Sequence, residues 1–304
     1  MIKKGTLFTF LTYLAWGFFP LYFKAIKSVP AFDIVAHRIL WSFVFMTALL
    51  LIRKKLKTLL RKLDWHSGLI YLVAGILLTI NWGTYVYAVN SDHIVEASLG
   101  YFINPLVSVL LGTVFLREKL RPTQWVSIGL TAIGVIYLTA VYGSFPWISI
   151  SLAISFGLYG YVKKTASLEP QEGLFLETAT LALPAVLFLI IREVQGTGSF
   201  LQADLTTKTL LLFCGVITAV PLIFFATGAK EIPLVTIGLL QYITPTLQFL
   251  VGVLLYSEPF TKTNAIGFAI IWLSLIIFSI ESLVHYRQTR PRLTSTEGSL
   301  SVGK

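Results

Sequence analysis

The chain has few charged residues and almost no cysteine. Only 12% of its 304 residues are Asp, Glu, Lys or Arg, against about 25% in an ordinary soluble domain. Its single cysteine, Cys214, excludes a disulfide framework and a cysteine-based metal site. No Gly-x-x-x-x-Gly-Lys-Ser/Thr segment occurs, so the sequence has no recognisable ATP-binding loop. We expect no cofactor and no bound metal.

Hydrophobic residues are abundant instead, at 56% of the chain, and they form ten continuous runs. Continuous rather than alternating runs favour helices over a barrel, and a spanning helix needs about 20 mostly apolar residues. We therefore predict an all-α membrane protein with ten transmembrane helices. The runs are 6–23, 33–52, 68–88, 94–116, 123–141, 146–162, 173–191, 209–229, 234–256 and 263–284.

Basic residues distinguish the two sides of the predicted membrane protein. The net charge of +10 could indicate a nucleic-acid partner, but Lys and Arg cluster on alternate loops between the runs, as the positive-inside rule describes. Of 24 Lys and Arg residues, 18 lie on the side of the N-terminus and Arg38 lies inside a run. The other side holds Lys24, Lys27, Arg192, Lys208 and Lys262. We predict no nucleic-acid partner, and a multi-pass protein of the cell (inner) membrane with both termini cytoplasmic.

Two segments lie outside the predicted spans. Residues 53–65 place four leucines at helical spacing among lysines and arginines, which predicts a short helix on the inner membrane surface. Its role is a topology anchor or, alternatively, a contact for a regulatory partner. Residues 287–304 are basic at their start and rich in Ser, Thr and Gly, which predicts a disordered cytoplasmic tail.

The fourth run is repeated in the ninth at an offset of 140 residues, and each copy has a proline in its middle and a glutamate after its end. The equivalent pairs are Val95/Val235, Leu99/Leu239, Ile103/Ile243, Pro105/Pro245, Gly112/Gly252 and Glu118/Glu258. The same offset joins Gly17 to Gly157, Lys24 to Lys164 and Gly75 to Gly215. These matches predict a duplicated unit, with chance alignment of apolar segments as the alternative. We expect Glu118 and Glu258 to pair with nearby bases on the surface.

The duplication divides the chain into two five-helix repeats, 1–142 and 143–286. Because five is odd, the second repeat must enter the membrane upside down. Inverted repeats are a transporter architecture, with the substrate site between the halves near the midplane. Two equivalent packings would open one cavity to opposite sides at similar energy, which predicts alternating access.

The two proline-bearing helices are expected to line a polar cavity. Pro105 and Pro245 lack the N–H that would bond the carbonyls of Tyr101 and Gln241, and freed backbone in lipid needs a protein or water partner. A packing kink filled by neighbouring side chains is the alternative. Polar groups nearby are Tyr101, Asn104, Gln241, Tyr242, Thr244 and Gln248.

Charged residues inside the runs are candidates for substrate binding, proton coupling or gating. At 1.5 Å per residue, Arg38 and Glu96 lie at similar depths and could meet. Glu177 lies near the opposite side, where Lys163 or Lys164 is its expected partner. A charge at such depth usually faces a partner or a water-filled cavity, and a structural ion pair is the alternative. The predicted coupling or gating residues are His37, Arg38, Glu96 and Glu177.

Aromatic side chains are candidates for the wall of a substrate cavity, although they are also common at membrane interfaces and in helix packing. They are Tyr13, Trp16, Trp41, Trp82, Tyr85, Tyr159 and Tyr161. The complete predicted substrate-binding set is Tyr13, Trp16, Arg38, Trp41, Asn81, Trp82, Tyr85, Tyr101, Asn104, Gln241, Tyr242, Thr244 and Gln248.

Several strings of the chain resemble one branch of transporters. They are YLAWGFFPLYFK (13–24), HRILWS (37–42), NW (81–82), AVNSDHIVEASLGYFINPL (88–106), SFGLYG (155–160), ET (177–178) with Pro184, and QYITPTL (241–247). On these strings the chain resembles the RarD branch of the EamA family, in the drug/metabolite transporter superfamily, over nearly its whole length. The resemblance implies a ten-helix inner-membrane transporter of two EamA repeats, in a family whose members mostly look like exporters of metabolites, amino acids or drugs.

We therefore predict a secondary transporter that exports a small molecule, with proton coupling as an option. One alternative is a membrane-embedded enzyme, for which His37 and His93 near Glu96 would be the reactive groups, although we predict no catalytic residue. The other is a passive channel or accessory membrane subunit. The expected partners are a small-molecule substrate and the lipid bilayer, with the chain as a monomer or homodimer.

Overall fold

The computed structural model describes residues 4–116, 120–142, 145–165, 167–229 and 240–289. Within these ranges the chain forms helices and no strand. The helices are α1 (Lys4–Gly17), α2 (Phe19–Ala25), α3 (Ala31–Ile52), α4 (Leu56–Lys62), α5 (Trp65–Asn90), α6 (Ile94–Leu116), α7 (Pro122–Tyr142), α8 (Trp147–Thr165), α9 (Pro170–Val194), α10 (Leu205–Ala229), α11 (Ile243–Leu250), which continues into a π-helical turn (Val251–Leu255), and α12 (Lys262–Thr289).

Seven helical segments of the described chain are long and apolar enough to cross a membrane. They are Lys4–Ala25, Ala31–Ile52, Trp65–Asn90, Pro122–Ala140, Pro170–Val194, Leu205–Phe225 and Lys262–His285. Ile94–Val107 and Ile243–Leu255 are shorter apolar helices. The chain is therefore an all-α membrane protein, while ten spans remain a prediction. Residues 234–239 of the ninth predicted run lie outside the described ranges.

The distribution of side chains fits a lipid solvent. Large apolar residues such as Leu183 and Leu254 are exposed, at 67% and 72% of their surface. Hydroxyl residues such as Thr9, Ser42 and Ser274 are fully buried. In lipid, apolar side chains can cover the outside while polar groups find partners between helices.

Phe18 divides the first predicted run into α1 and α2, which sequence reasoning did not anticipate. Pro20 is the physical cause, because it lacks the N–H that would bond the carbonyl of Trp16. The side chain of Gln248 supplies a replacement donor, its Nε2 lying 3.1 Å from that carbonyl oxygen. The carbonyl freed at the break in the first span therefore accepts a hydrogen bond that links α1 to α11.

The helices pack in a regular pattern of pairs. Helix α1 packs against α10 and α11, α8 packs against α5 and α6, α3 packs against α9 and α10, and α9 also packs against α5. Helix α6 packs against α11, and α7 packs against α12. Each of these pairs joins a helix before residue 143 to a helix after it, so the two parts of the chain are interleaved.

Ion pairs at helix ends define one face of the bundle, which we call the Asp92 face. Here the Lys24 ammonium at the end of α2 donates to Asp92, between α5 and α6. At the same face Arg192, near the end of α9, lies with its Nε 3.3 Å from Oδ1 of Asp33, at the start of α3.

The opposite face, which we call the Lys163 face, holds the end of α3, the end of α8 and the start of α9. Lys55 pairs with Glu169, with 2.8 Å between Nζ and Oε2. The Nη1 atom of Arg53 donates to Gln171 at 2.8 Å.

Of two sequence expectations outside the spans, the surface helix has a structural counterpart and the disordered tail is corrected at its start. The predicted surface helix forms as α4, with Leu59 fully buried and Leu60 exposed. Helix α12 continues to Thr289, so the first residues of the predicted tail are helical. Residues 290–304 lie outside the described ranges.

Candidate functional site

A cavity of about 560 Å³ lies at the centre of the bundle. This volume is in the range of small-molecule binding sites, about 300–1,000 Å³. Its walls come from α1, α2, α3, α5, α6, α8, α9, α10 and α11. At the Lys163 face it includes Lys163, Leu168 and Gln171, whereas Lys24 and Glu258 at the Asp92 face do not border it. The cavity therefore extends from the middle of the bundle toward the Lys163 face.

Most of the predicted substrate-binding residues line this cavity. They are Tyr13, Trp16, Arg38, Asn81, Trp82, Tyr85, Tyr101, Gln241, Thr244 and Gln248, with Pro245 beside them. The geometry thus brings together residues from distant parts of the sequence. Whether they contact a substrate remains a prediction.

Trp41, Asn104 and Tyr242 do not border the cavity. The Trp41 indole donates to His37 Nδ1 at 3.3 Å, and Asn104 is buried with no partner for its Oδ1 among the described residues. Tyr242 packs in the apolar cluster between α6, α7 and α12. Consecutive helical residues point about 100° apart, so Gln241 faces the cavity while Tyr242 points away from it.

Arg38 is the most deeply buried charge in the cavity, with 3% of its surface exposed. Its Nε donates to Thr218 Oγ1 at 3.0 Å, and its Cζ lies 4.2 Å from the centre of the Trp82 ring. The expected contact with Glu96 does not form. The Glu96 carboxylate lies instead beside the backbone N–H groups of Ile148 and Ser149, at the start of α8.

Amide and hydroxyl side chains fix the positions of neighbouring helices around the cavity. Asn81 Nδ2 donates to the carbonyl of Leu152 and to Ser155 Oγ, each at 3.1 Å. The Tyr101 hydroxyl donates to Asn81 Oδ1 at 3.4 Å. Thr244 Oγ1 donates to the carbonyl of Tyr13 at 2.8 Å. These bonds hold α5 against α8 and α11 against α1, because buried polar groups strongly favour being paired.

Glu177 forms the ion pair that the sequence suggested with Lys163. The distance from Lys163 Nζ to Glu177 Oε1 is 2.6 Å, and only 1% of the carboxylate side chain is exposed. The Tyr159 hydroxyl donates to the other oxygen at 3.1 Å. Glu177 is thus charge-paired at the Lys163 end of the cavity, whereas its predicted coupling or gating role remains untested.

His37 lies behind the cavity wall rather than in it. Its ring packs 5.2 Å from the Phe200 ring, and its Nε2 has no partner among the described residues. Glu96 is half-buried and also lies outside the cavity lining. A coupling role for either group remains a prediction.

The two predicted helix breaks differ in structure. Helix α6 continues through Pro105 as far as Leu116. The second copy has a turn at Tyr242, and α11 begins at Ile243, two residues before Pro245. The cavity lies against both helices, with Tyr101 and Gln241 as equivalent lining residues, but its lining is mainly apolar rather than polar as expected.

Glu258 corrects a prediction, since it is 6% exposed rather than paired on the surface. Its two carboxylate oxygens each accept a backbone N–H at 2.8 Å, from Ile94 and Val95 at the start of α6. The π-helical turn and the positive φ of Ser257, 52°, bring the chain back to this position. Its predicted counterpart, Glu118, lies outside the described residues.

Lys24 and Tyr256 complete the packing at the Asp92 face. The Lys24 Nζ lies 5.2 Å from the centre of the Tyr256 ring. Its hydrogen bond to Asp92 holds the pKa of that carboxyl below its ordinary value. Together with Glu258, these contacts close the bundle at this face.

Several cavity residues were missed by sequence reasoning, including Phe19, Phe156, Thr218, Leu222 and Phe225. The 140-residue offset applied to the aromatic candidates would have found four of these five, whereas Thr218 is equivalent to Leu78, which was not a candidate. Equivalent positions that both line the cavity are Trp16/Phe156, Phe19/Tyr159, Leu78/Thr218, Trp82/Leu222, Tyr85/Phe225 and Tyr101/Gln241.

Known proteins are similar to this chain in sequence. The EamA-like transporter family matches residues 3–140 and 146–280. An uncharacterized transporter of Bacillus subtilis, YojE, is 45% identical over 95% of this chain and 97% of its own length. The protein RarD of Streptomyces exfoliatus is 41% identical over 96% of this chain and 93% of its own. RarD of Escherichia coli is 39% identical over 94% and 97%.

A solved crystal structure shows the same fold at low sequence identity. It superposes with a TM-score of 0.60 over 93% of this chain and the whole of the other chain, at 18% identity. At that identity the likeness concerns the fold alone.

Proposed function

Since this chain belongs to the EamA-like transporter family, and within it to the RarD branch, we propose that it is a secondary transporter that exports a small organic molecule by alternating access. It is a multi-pass membrane protein of a transporter family. The proposal adds ten transmembrane helices, arranged as two inverted five-helix repeats over residues 1–142 and 143–286. The observation that carries it is the cavity formed jointly by both repeats.

The helix pairs support an internal two-fold symmetry. Under the 140-residue offset, α1 is equivalent to α8, α3 to α9, α5 to α10, α6 to α11 and α7 to α12. Exchanging these helices turns the pair α1–α11 into α8–α6, the pair α1–α10 into α8–α5, and the pair α3–α10 into α9–α5. All of these pairs occur. The pairs α3–α9, α6–α11 and α7–α12 each turn into themselves and also occur. A chain without internal symmetry would have no reason to satisfy this exchange.

Individual contacts between α7 and α12 support the same symmetry. A Cβ added to Gly134 would lie 2.7 Å from Ile271 Cγ1. The equivalent pair under the 140-residue exchange is Thr131 and Ser274, whose hydroxyls lie 2.7 Å apart. Because each repeat has an odd number of helices, this axis must lie in the membrane plane.

The two faces differ in a way that suits one state of an alternating-access cycle. Glu258, Lys24 and Tyr256 close the Asp92 face, while the cavity extends toward the Lys163 face. The basic loops make the Lys163 face cytoplasmic under the positive-inside rule. The structure would then correspond to an inward-facing carrier ready to load a substrate for export.

Coupling to protons is part of the proposal, with His37 and Glu96 as the carriers. Glu177 already has a cationic partner 2.6 Å away, so a change in its protonation would break that ion pair. His37 has an unpartnered ring nitrogen, and Glu96 has no ion pair within the described chain. His37 and Glu96 can therefore gain or lose a proton without breaking an ion pair, whereas Glu177 cannot.

Counterflow in proteoliposomes tests the carrier assignment. Vesicles loaded with unlabelled substrate should take up labelled substrate faster than empty vesicles, because a carrier returns faster when loaded. Equal rates would indicate a channel. Imposing a pH gradient on the same vesicles tests coupling, and equal rates with and without the gradient would remove that part of the proposal. Light scattering of the purified protein would distinguish a monomer from a homodimer.

A further inference from the structure

Among the residues that the structure describes, the guanidinium of Arg38 has no negatively charged partner. It lines the central cavity, and its Nη1 is buried with no hydrogen-bond partner among the described residues. The titratable groups that interact with it electrostatically are Cys214, Tyr101, Tyr85 and Tyr22. Thiols and phenols are neutral at pH 7, so none of them balances the charge.

The described carboxylates of α3, α6 and α9 all have other contacts, and Glu96 lies beside the backbone N–H groups at the start of α8. Asp33 accepts from Arg192 and from Ser199, whose Oγ lies 2.8 Å away. Glu177 pairs with Lys163. Rotation of one of these side chains onto Arg38 would break a bond that already exists, so the described part of the chain offers no ready counter-ion.

The interactions that Arg38 does make compensate its burial only in part. Trp82 and Phe23 place their rings 4.2 and 5.1 Å from Cζ, and Thr218 accepts from Nε. Cation–π contacts and one neutral acceptor are weaker than an anion for a charge removed from water. A buried, permanently ionised group that borders a cavity is therefore suited to bind an anion there.

Other unpartnered polar atoms of the cavity add detail to this chemistry. The Tyr85 hydroxyl and Gln248 Oε1 are both buried without a partner in the described part of the chain. The hydroxyl can donate to the same anion, whereas the amide oxygen needs a donor. The rest of the wall is largely aromatic, with Tyr13, Trp16 and Phe225 in mutual ring contact at 5.7–6.0 Å.

We infer that the cavity selects organic monocarboxylates with an apolar or aromatic body, and that Arg38 binds the carboxylate. The inference rests on the proposed transport function and specifies its substrate class. One charge is favoured over two because Lys163, the other described cation bordering the cavity, is paired with Glu177. A zwitterion is disfavoured because no unpaired carboxylate borders the described cavity to receive an ammonium group.

Binding to purified protein tests the substrate class without reference to transport. The probes are 3-phenylpropanoate, its neutral amide, phenylalanine and phenyl phosphate, each titrated by calorimetry at pH 7. We expect 3-phenylpropanoate to bind at least about tenfold more tightly than its amide, because only the acid forms a charge-assisted hydrogen bond with Arg38. It should also bind more tightly than phenylalanine and phenyl phosphate, whose additional charge has no unpaired partner in the described cavity. Equal binding of acid and amide, or no binding of the acid, would overturn the inference. Tighter binding of phenyl phosphate or phenylalanine would also contradict it.

Variants test whether Arg38 is responsible. Arg38→Gln should reduce the preference for acid over amide to less than about twofold, while Arg38→Lys should retain part of it. The matched control is Arg121→Gln, which removes an arginine outside the cavity, where it pairs with Glu281, and should leave the preference unchanged. If Arg38→Gln does not fold, Arg38→Lys still tests the residue, because a fully retained preference in that variant would contradict a role for the guanidinium.

Flux assays separate this inference from the proposed function. Acid binding that depends on Arg38, without any carrier-mediated flux, would contradict transport and leave the anion site standing. Counterflow of the amide that is insensitive to Arg38→Gln would support the carrier and refute the anion site.

Discussion

Glu258 Oε2 lies 2.8 Å from the backbone nitrogen of Val95, so a carboxylate of one proposed repeat caps a helix of the other. The first N–H groups of a helix have no partner within it, and an anion there also interacts favourably with the helix dipole. Gly252 makes the approach possible, since even a Cβ at this position would lie 3.1 Å from Val95 Cγ2. In the proposed carrier this contact holds the Asp92 face closed.

Glu258→Ala should loosen that closure. The loss of a helix cap costs about 0.5–2 kcal/mol, so the unfolding temperature should fall. Because the cap joins the two repeats, the cavity should also open more often to the Asp92 face. Leu222→Cys in a Cys214→Ala background should then react several-fold faster with an impermeant maleimide applied from that face.

Asp204→Asn is the matched control for this experiment. Asp204 also caps a helix start at the Asp92 face, accepting from Thr206 N at 3.0 Å, but it does so within its own repeat. It should lower stability without changing the labelling rate at Leu222→Cys. Equal labelling rates in Glu258→Ala and the parent protein would contradict the role of Glu258 in closure.

The Lys24–Asp92 pair should make stability depend on pH. Its hydrogen bond lowers the pKa of Asp92, so its contribution is present above the ordinary carboxyl pKa and is lost as pH falls through the lowered value. Thermal unfolding of the native chain and of Asp92→Asn should therefore differ at pH 7 and converge toward pH 3. A constant difference between pH 7 and pH 3 would show that the ionised carboxylate is not responsible.

The apolar runs and the repeat offset predicted the all-helical membrane fold, and they grouped most of the residues now found around one cavity. Hydropathy is sufficient for this because lipid requires every spanning backbone to satisfy its own hydrogen bonds. The offset between Pro105 and Pro245 also identified two helices that border the cavity. Neither signal depends on how an individual side chain is rotated.

The partners of individual side chains could not be predicted in the same way. Glu258 reaches α6 only because a π-helical turn and the positive φ of Ser257 redirect the chain, and neither leaves a periodic pattern in the sequence. The similar depths of Arg38 and Glu96 in the membrane made a contact between them possible. Depth does not specify the direction in which a helical side chain points. Thr218, the partner that Arg38 does find, resembles any other hydroxyl residue of an apolar helix.

Close packing of α3 against α10 should depend on Gly215. A Cβ at this position would lie 2.2 Å from the carbonyl oxygen of Trp41, and backbone cannot move aside as a flexible side chain can. Gly215→Ala should therefore destabilise the protein by about 1–3 kcal/mol, the usual cost of overpacking. Chemical or thermal unfolding in detergent would measure the change.

Gly129→Ala is the matched control, since a Cβ there meets nothing within 4 Å. Alanine is favoured over glycine inside a helix by about 1 kcal/mol, so this variant should be as stable as the parent or slightly more stable. Similar stabilities for Gly215→Ala and Gly129→Ala would show that the α3–α10 contact is looser than the structure indicates.

The Glu177–Lys163 ion pair should act as a structural element rather than as a proton carrier. Glu177→Gln leaves the lysine unpaired, and removing one member of a fully buried pair costs about 3–5 kcal/mol. The loss should be smaller here because the Lys163 side chain is 25% exposed. The double variant Glu177→Gln with Lys163→Met removes both charges and should recover most of the lost stability.

If the pair is structural, the double variant should also keep the response of flux to a pH gradient. Recovered stability together with a lost response would instead make Glu177 a member of the proton pathway, and flux in proteoliposomes at two pH gradients would measure the difference.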